Sequence, residues 1–125
     1  MASSSSGARP RIEVRGVHPS LTVLRHAERV THYVYIMASR PDGAIYVGRT
    51  NDLAARVEHH KAGLSIHTAR YNIRRLVWFE THDTFEGSLG RERALKRWRR
   101  TWKNALITER NLEWTDLYPH HLPID

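Results

Sequence analysis

A carboxylate stands where an apolar side chain is expected. Over residues 84–106, Leu95, Trp98, Trp102 and Leu106 recur at i, i+3, i+7 and i+11, and Phe85 and Leu89 extend the stripe backward. Glu92 falls inside that face, between Leu89 and Leu106 on the helical wheel. A buried carboxylate needs a cation, a metal ion or a set of hydrogen bonds. Its neighbours are basic: Arg91, Arg93, Lys96, Arg97, Arg99, Arg100 and Lys103. One acid in a cationic field suits a site for a divalent metal and a phosphate. A salt bridge to a local arginine, on a half-buried stripe with a solvated basic face, accounts for the same pattern.

Three other groupings could carry chemistry. Tyr35 and Tyr46 are separated by ten residues on what read as adjacent strands, where cross-strand aromatic packing is the plain alternative. Arg56 and His60 are spaced i, i+4 and share a helix face, as a surface pair also would. His59, His60 and His67 suggest a metal site only weakly, because no second histidine pair and no cysteine accompany them.

The elements that must position these residues follow from local pattern. Tyr33–Met37 and Ala44–Gly48 are rich in β-branched and aromatic residues, and Pro41-Asp42-Gly43 is a turn, so the two runs predict a β-hairpin. Asn51 or Asp52 can cap a helix that runs to about Ala62 and stops at Gly63, with Leu53, Val57 and Leu64 on one face. Arg74–Glu80 predicts a third strand. Asp83 with Glu86 has capping-box spacing and opens a helix over Thr84–Trp98, followed by a helical stretch over Thr101–Glu109. The order β-β-α-β-α-α predicts an α+β fold with a small, mostly antiparallel three-stranded sheet flanked by helices.

Composition narrows the class. The 125 residues hold 20 Lys+Arg, 13 Asp+Glu and no cysteine, for a net charge of +7. Disulfides, thiolate zinc sites and cysteine nucleophiles are therefore excluded. No apolar run approaches the roughly 20 residues that span a bilayer, and no secretory h-region opens the chain, which predicts a soluble, cytoplasmic protein. Residues 1–32 carry a net +3 and the remainder +4. With Ser3–Ser6, Pro10 and Pro19, residues 1–30 read as a flexible basic extension, in which Ser20–Val30 could form a short helix. Residues 31–118 read as the folded domain and 119–125 as a tail. The basic excess suggests a polyanionic partner.

Taken in order, Tyr33-Val34-Tyr35, Tyr46-Val47-Gly48, Arg56, His60 and Glu92 resemble the GIY-YIG nuclease superfamily, and in particular its small stand-alone bacterial members. The resemblance runs through YVYIM, IYVGRTNDLAARVEHHKAG, RRLVWFE, RERALKRWRR and NLEWTDLY. It covers about residues 31–118. The first motif departs from the family pattern by Tyr33 in place of glycine, and both isoleucine positions are valine.

The resemblance implies a metal-dependent phosphodiesterase. In it Tyr46 matches the proposed general base or orienter of the nucleophile, and Tyr35 its supporting tyrosine. Arg56 matches the phosphate-binding arginine, and His60 a position filled by His or Tyr. Glu92 matches the single protein ligand of one Mg²⁺ or Mn²⁺ ion. Asn104 falls where some members carry a site asparagine, and Arg49 at a position often basic.

Free tyrosine titrates near 10, so Arg56, Arg49 and the ion would have to favour the phenolate. The expected activity is a DNA endonuclease of low specificity, or one selective for branched, nicked or flapped structures, in a setting such as DNA repair. RNA stays open as a substrate. Lys96, Arg97, Arg99, Arg100 and Lys103 would contact nucleic acid, and a protein partner could supply substrate recognition. The competing reading is a non-catalytic or partner-dependent nucleic-acid-binding module on the same fold, using the basic helix with Trp98 and Trp102, although both tryptophans lie on the apolar stripe and core packing is their preferred reading.

Overall fold

The computed structural model describes residues 30–122. The expected N-terminal extension, with its short helix, lies outside the described residues except at its last position, as do the last three residues of the C-terminal tail. Strand β1 (His32–Ala38) and strand β2 (Ile45–Thr50) form the expected hairpin. Its turn is closed by Ser39 N donating to Ala44 O at 2.9 Å, with Asp42 at φ 57°. Strand β3 (Arg75–His82) pairs with the other side of β1, which gives the order β2-β1-β3, antiparallel throughout.

The central strand is buried on both faces because side chains alternate along it. Tyr33, Tyr35 and Met37 pack with Leu53, Val57, Ile73 and Leu76. Val34, Ile36 and Ala38 pack on the opposite face with Val47, Leu95, Ile107 and Trp114. A register shift between Ile36 and Met37 leaves Val77 as an extra residue, and Val77 and Trp78 consequently join the same core cluster.

Helix α1 (Leu53–Lys61) covers the Tyr35 face. Asp52 is its cap and accepts from Ala55 N at 3.1 Å. The chain then turns at Gly63, whose φ of +74° is the left-handed conformation that suits glycine. The helix face therefore does not continue to Leu64, which is solvent-exposed. A further short helix, α2 (Ile66–Arg70), follows and was not expected from the sequence. Five residues are too few to show a helical period.

Helices α3 (Phe85–Arg97) and α4 (Arg100–Arg110) cover the other face. Thr84, and not Asp83, caps α3 by accepting from Gly87 N at 3.0 Å, so the expected capping box is not formed. The single wheel expected over 84–106 is also broken. Trp98 and Arg99 are extended, with ψ of 151° and 150°, and the helical phase is reset between the two helices. Trp98 still packs against the core, but Trp102 is 52% exposed and is no core residue. Within α3 alone, Glu92 still lies on the buried line, between Ser88 and Leu95.

The outer edge of β3 is answered by the C-terminal stretch. Asp116 Oδ1 accepts from Leu76 N at 3.1 Å, Leu117 N donates to Leu76 O at 2.8 Å, Asn111 Nδ2 donates to Val77 O at 3.0 Å, and Arg110 donates to Phe79 O at 3.0 Å. Among the described residues no helix is long and apolar enough to cross a membrane.

Candidate functional site

The register places Tyr35 opposite Gly48, and Tyr46 lies two residues before Gly48 on the same face of β2. A Cβ on Gly48 would stand 2.5 Å from Tyr35 Cζ. Only glycine leaves room for the phenol to cross β2. Helix α1 brings His60 over these rings: its ring centroid is 5.7 Å from that of Tyr35 and 5.3 Å from that of Tyr46. The two tyrosine rings are 6.3 Å apart.

Tyr35 and His60 are buried and bonded to each other, with Tyr35 Oη 2.9 Å from His60 Nε2. His60 Nδ1 lies 3.0 Å from Thr68 Oγ1 on α2. Burial, with added repulsion from Arg56 and His59, lowers the His60 pKa to about 4, so the imidazole is neutral at pH 7. Burial also pushes the Tyr35 phenol well above its ordinary range. The fields of Tyr46 and Glu92 add to this against the opposing pull of Arg56. Tyr35 is therefore a fixed, protonated phenol. Tyr46 is half-buried, and its hydroxyl makes no hydrogen bond among the described residues.

Arg56 lies one turn before His60 on the exposed side of α1, and its guanidinium has no hydrogen bond or ion pair among the described residues. An unengaged fork close enough to act on Tyr35 and His60 is suited to an oxyanion.

Helix α3 packs against β2 more than against either other strand, and it brings acid and base to the same edge. Lys96 Nζ is 3.0 Å from Glu92 Oε2 and 6.0 Å from the centre of the Tyr46 ring. The Glu92 side chain is only 16% exposed, and its second oxygen is without a hydrogen bond among the described residues. A mostly buried carboxylate with a free oxygen is a fitting donor for a hard divalent cation. No group of three or more His, Asp or Glu side chains among the described residues could hold one, so such an ion would rely on this carboxylate and on water.

Most other residues singled out from the sequence lie apart from this cluster. Arg49 is on the opposite face of the sheet, with its guanidinium 4.5 Å over the Phe85 ring. Arg100 donates to the carbonyls of Asp42 and Gly43 and to Asn104 Oδ1 at 3.0 Å. It braces the hairpin turn, and it occupies the oxygen of Asn104. Lys103 is half-buried, and burial beside Arg100 lowers its pKa. Arg97 is exposed, and Arg99 lies over Trp102 at 5.4 Å. His59 and His67 flank the cluster as ring neighbours, His67 at 6.2 Å from Tyr46. Thr68 is the residue that sequence reasoning missed, because its role depends on a helix too short to be read.

The GIY-YIG catalytic domain family matches residues 31–105. Proteins named only UPF0213 from Staphylococcus aureus strains Mu3, Mu50 and COL are each 39% identical over 84 residues, covering 64% of this chain and 98% of their own length. No solved structure matches at a significant level. The motif tyrosines on paired strands, the histidine over them and the carboxylate at their edge thus stand in a chain that belongs to the GIY-YIG family, a family of nuclease type.

Proposed function

We propose that this protein is a metal-dependent endonuclease that hydrolyses phosphodiester bonds in DNA, either with low specificity or with selectivity for branched, nicked or flapped structures. The observation that supports this most is the approach of Lys96, ion-paired to Glu92, to the ring of the unbonded Tyr46 across the edge of β2. Tyr46 orients or deprotonates the attacking water. The water oxygen forms a bond to phosphorus, the P–O bond to the leaving oxygen breaks, and that oxygen takes up a proton. Arg56 binds the non-bridging oxygens through its guanidinium fork. Tyr35, held by His60, fixes the floor beneath Tyr46. Glu92 would hold one Mg²⁺ or Mn²⁺, which when bound supplies Lewis acidity and charge neutralisation.

The test is incubation with flapped, nicked, branched and linear DNA, and with RNA, in Mg²⁺, Mn²⁺ or EDTA. Cleavage that needs the ion and is lost in Tyr46→Phe and Glu92→Ala supports the reading; retained cleavage in purified, folded Glu92→Ala overturns it.

One observation favours a second reading, binding without cleavage: Trp102 is exposed and carries Arg99 on its face, a pairing suited to stacking against bases. That reading predicts salt-sensitive binding that EDTA leaves unchanged.

A further inference from the structure

We infer that Thr68 is a positioning residue that fixes which nitrogen of His60 carries the proton, and through it the direction in which the Tyr35 hydroxyl points. This rests on the nuclease reading of the site and names a part of it.

Helix α2 is exposed along most of its length, with Ile66 87% exposed, and its one buried residue is Thr68. A helix that buries a single polar side chain contributes little to the core. What it brings inward is a hydroxyl. The Thr68 hydroxyl has one proton and two acceptors within reach, Ser65 O at 3.3 Å and His60 Nδ1 at 3.0 Å. We assign the proton to the Ser65 carbonyl, the i−3 bond open to a helical threonine, so that Thr68 Oγ1 meets Nδ1 as the acceptor. Nδ1 therefore carries the imidazole proton. The ring is neutral, so Nε2 is left as a lone pair, and the Tyr35 hydroxyl, 2.9 Å away, must donate to it.

The chain of donors thus runs from Tyr35 through His60 and Thr68 to a backbone carbonyl. All three side chains are buried, so water cannot substitute for a missing member. With its proton committed to His60, the Tyr35 oxygen offers only lone pairs to whatever approaches beside Gly48. It can accept a hydrogen bond from Tyr46, and it cannot donate one. The opposite tautomer of His60 would reverse this, turning the Tyr35 hydroxyl outward as a competing donor.

The test compares Thr68→Val, which keeps the shape and removes the acceptor, with Thr68→Ser, which keeps the hydroxyl. Two quantities are read: the ¹⁵N shifts and proton couplings of the His60 ring, and the rate of DNA cleavage. The wild-type ring should show a protonated Nδ1 and a bare Nε2. Thr68→Val should shift the proton wholly or partly to Nε2 and lower kcat by about 10-fold or more with KM little changed, as is usual when an orienting partner is lost. Thr68→Ser should restore both. An unaltered tautomer in Thr68→Val overturns the inference, and so does a Thr68→Ser protein as impaired as Thr68→Val. If the wild-type protein cuts no nucleic acid under any condition, the nuclease reading fails, and the ring-nitrogen pattern decides the assignment of Thr68 alone.

Discussion

The phenol of Tyr35 occupies the space that a side chain on Gly48 would fill. The two residues are partners across β1 and β2, and a Cβ at Gly48 would lie 2.5 Å from Tyr35 Cζ. Gly48→Ala should therefore move the Tyr35 ring and break its bond to His60. Overpacking of this kind costs about 1–3 kcal/mol. Thermal unfolding should show a fall of several degrees, and cleavage should fall with it; an alanine variant with wild-type melting and wild-type rates would show that the ring has room to spare.

Arg56 separates function from stability. It is exposed, and its guanidinium makes no hydrogen bond or ion pair among the described residues. Arg56→Ala should change stability by no more than about 0.5 kcal/mol, while cleavage falls on the order of 100-fold or more, the usual scale for losing one preorganised contact to a developing oxyanion. Arg56→Lys should recover only part of the rate, since a point charge lacks the fork. A large loss of stability in Arg56→Ala would assign the residue to the fold instead.

The buried imidazole makes stability depend on pH. The folded-state pKa of His60 is about 4, below the ordinary 6.5. The unfolded chain therefore binds a proton more readily than the folded one once pH drops below 6.5. The folded state loses stability as pH falls from 6.5 toward 4, at up to about 1.4 kcal/mol per pH unit, and above 6.5 this contribution is flat. Urea unfolding across pH 4 to 8 should show this slope in the wild type, reduced in His60→Gln. Equal slopes in the two proteins would contradict it.

Asp116 ties three parts of the chain together. One carboxylate oxygen accepts from Leu76 N at 3.1 Å and Tyr118 N at 3.2 Å, and the other pairs with Lys61 at the end of α1. Asp116→Ala should cost about 1–3 kcal/mol, since it leaves backbone donors without their acceptor. Chemical denaturation measures this directly, and a change below about 0.5 kcal/mol would mean that water replaces the carboxylate.

Much of this site could be read from the sequence because its parts are local. The hairpin, its turn and the Asp52 cap are set by neighbouring residues, and Arg56 and His60 share a face through ordinary helical spacing. Glu92 stood out by violating its own stripe, and that signal survives within α3 although the longer wheel it was drawn on does not exist. What the sequence hid depends on direction changes. Two extended residues at Trp98 and Arg99 turned Trp102 outward and gave Arg100 to the hairpin turn. Arg49 follows Gly48 directly in the chain, yet strand alternation sends it to the other face of the sheet. Thr68 sits on one turn of helix that has no period to read.

The β3 margin has a consequence for handling the protein. Arg110, Asn111, Asp116 and Leu117 occupy its outward groups without forming a strand. A proteolytic nick after Arg110 would strip most of that cover and leave the carbonyls of Leu76 and Val77 as an open template. Bare sheet margins recruit strands from other molecules. The C-terminal stretch is in this sense a guard against self-association, and a shortened chain should precipitate while the β2 edge, on the far side of the sheet, is still intact.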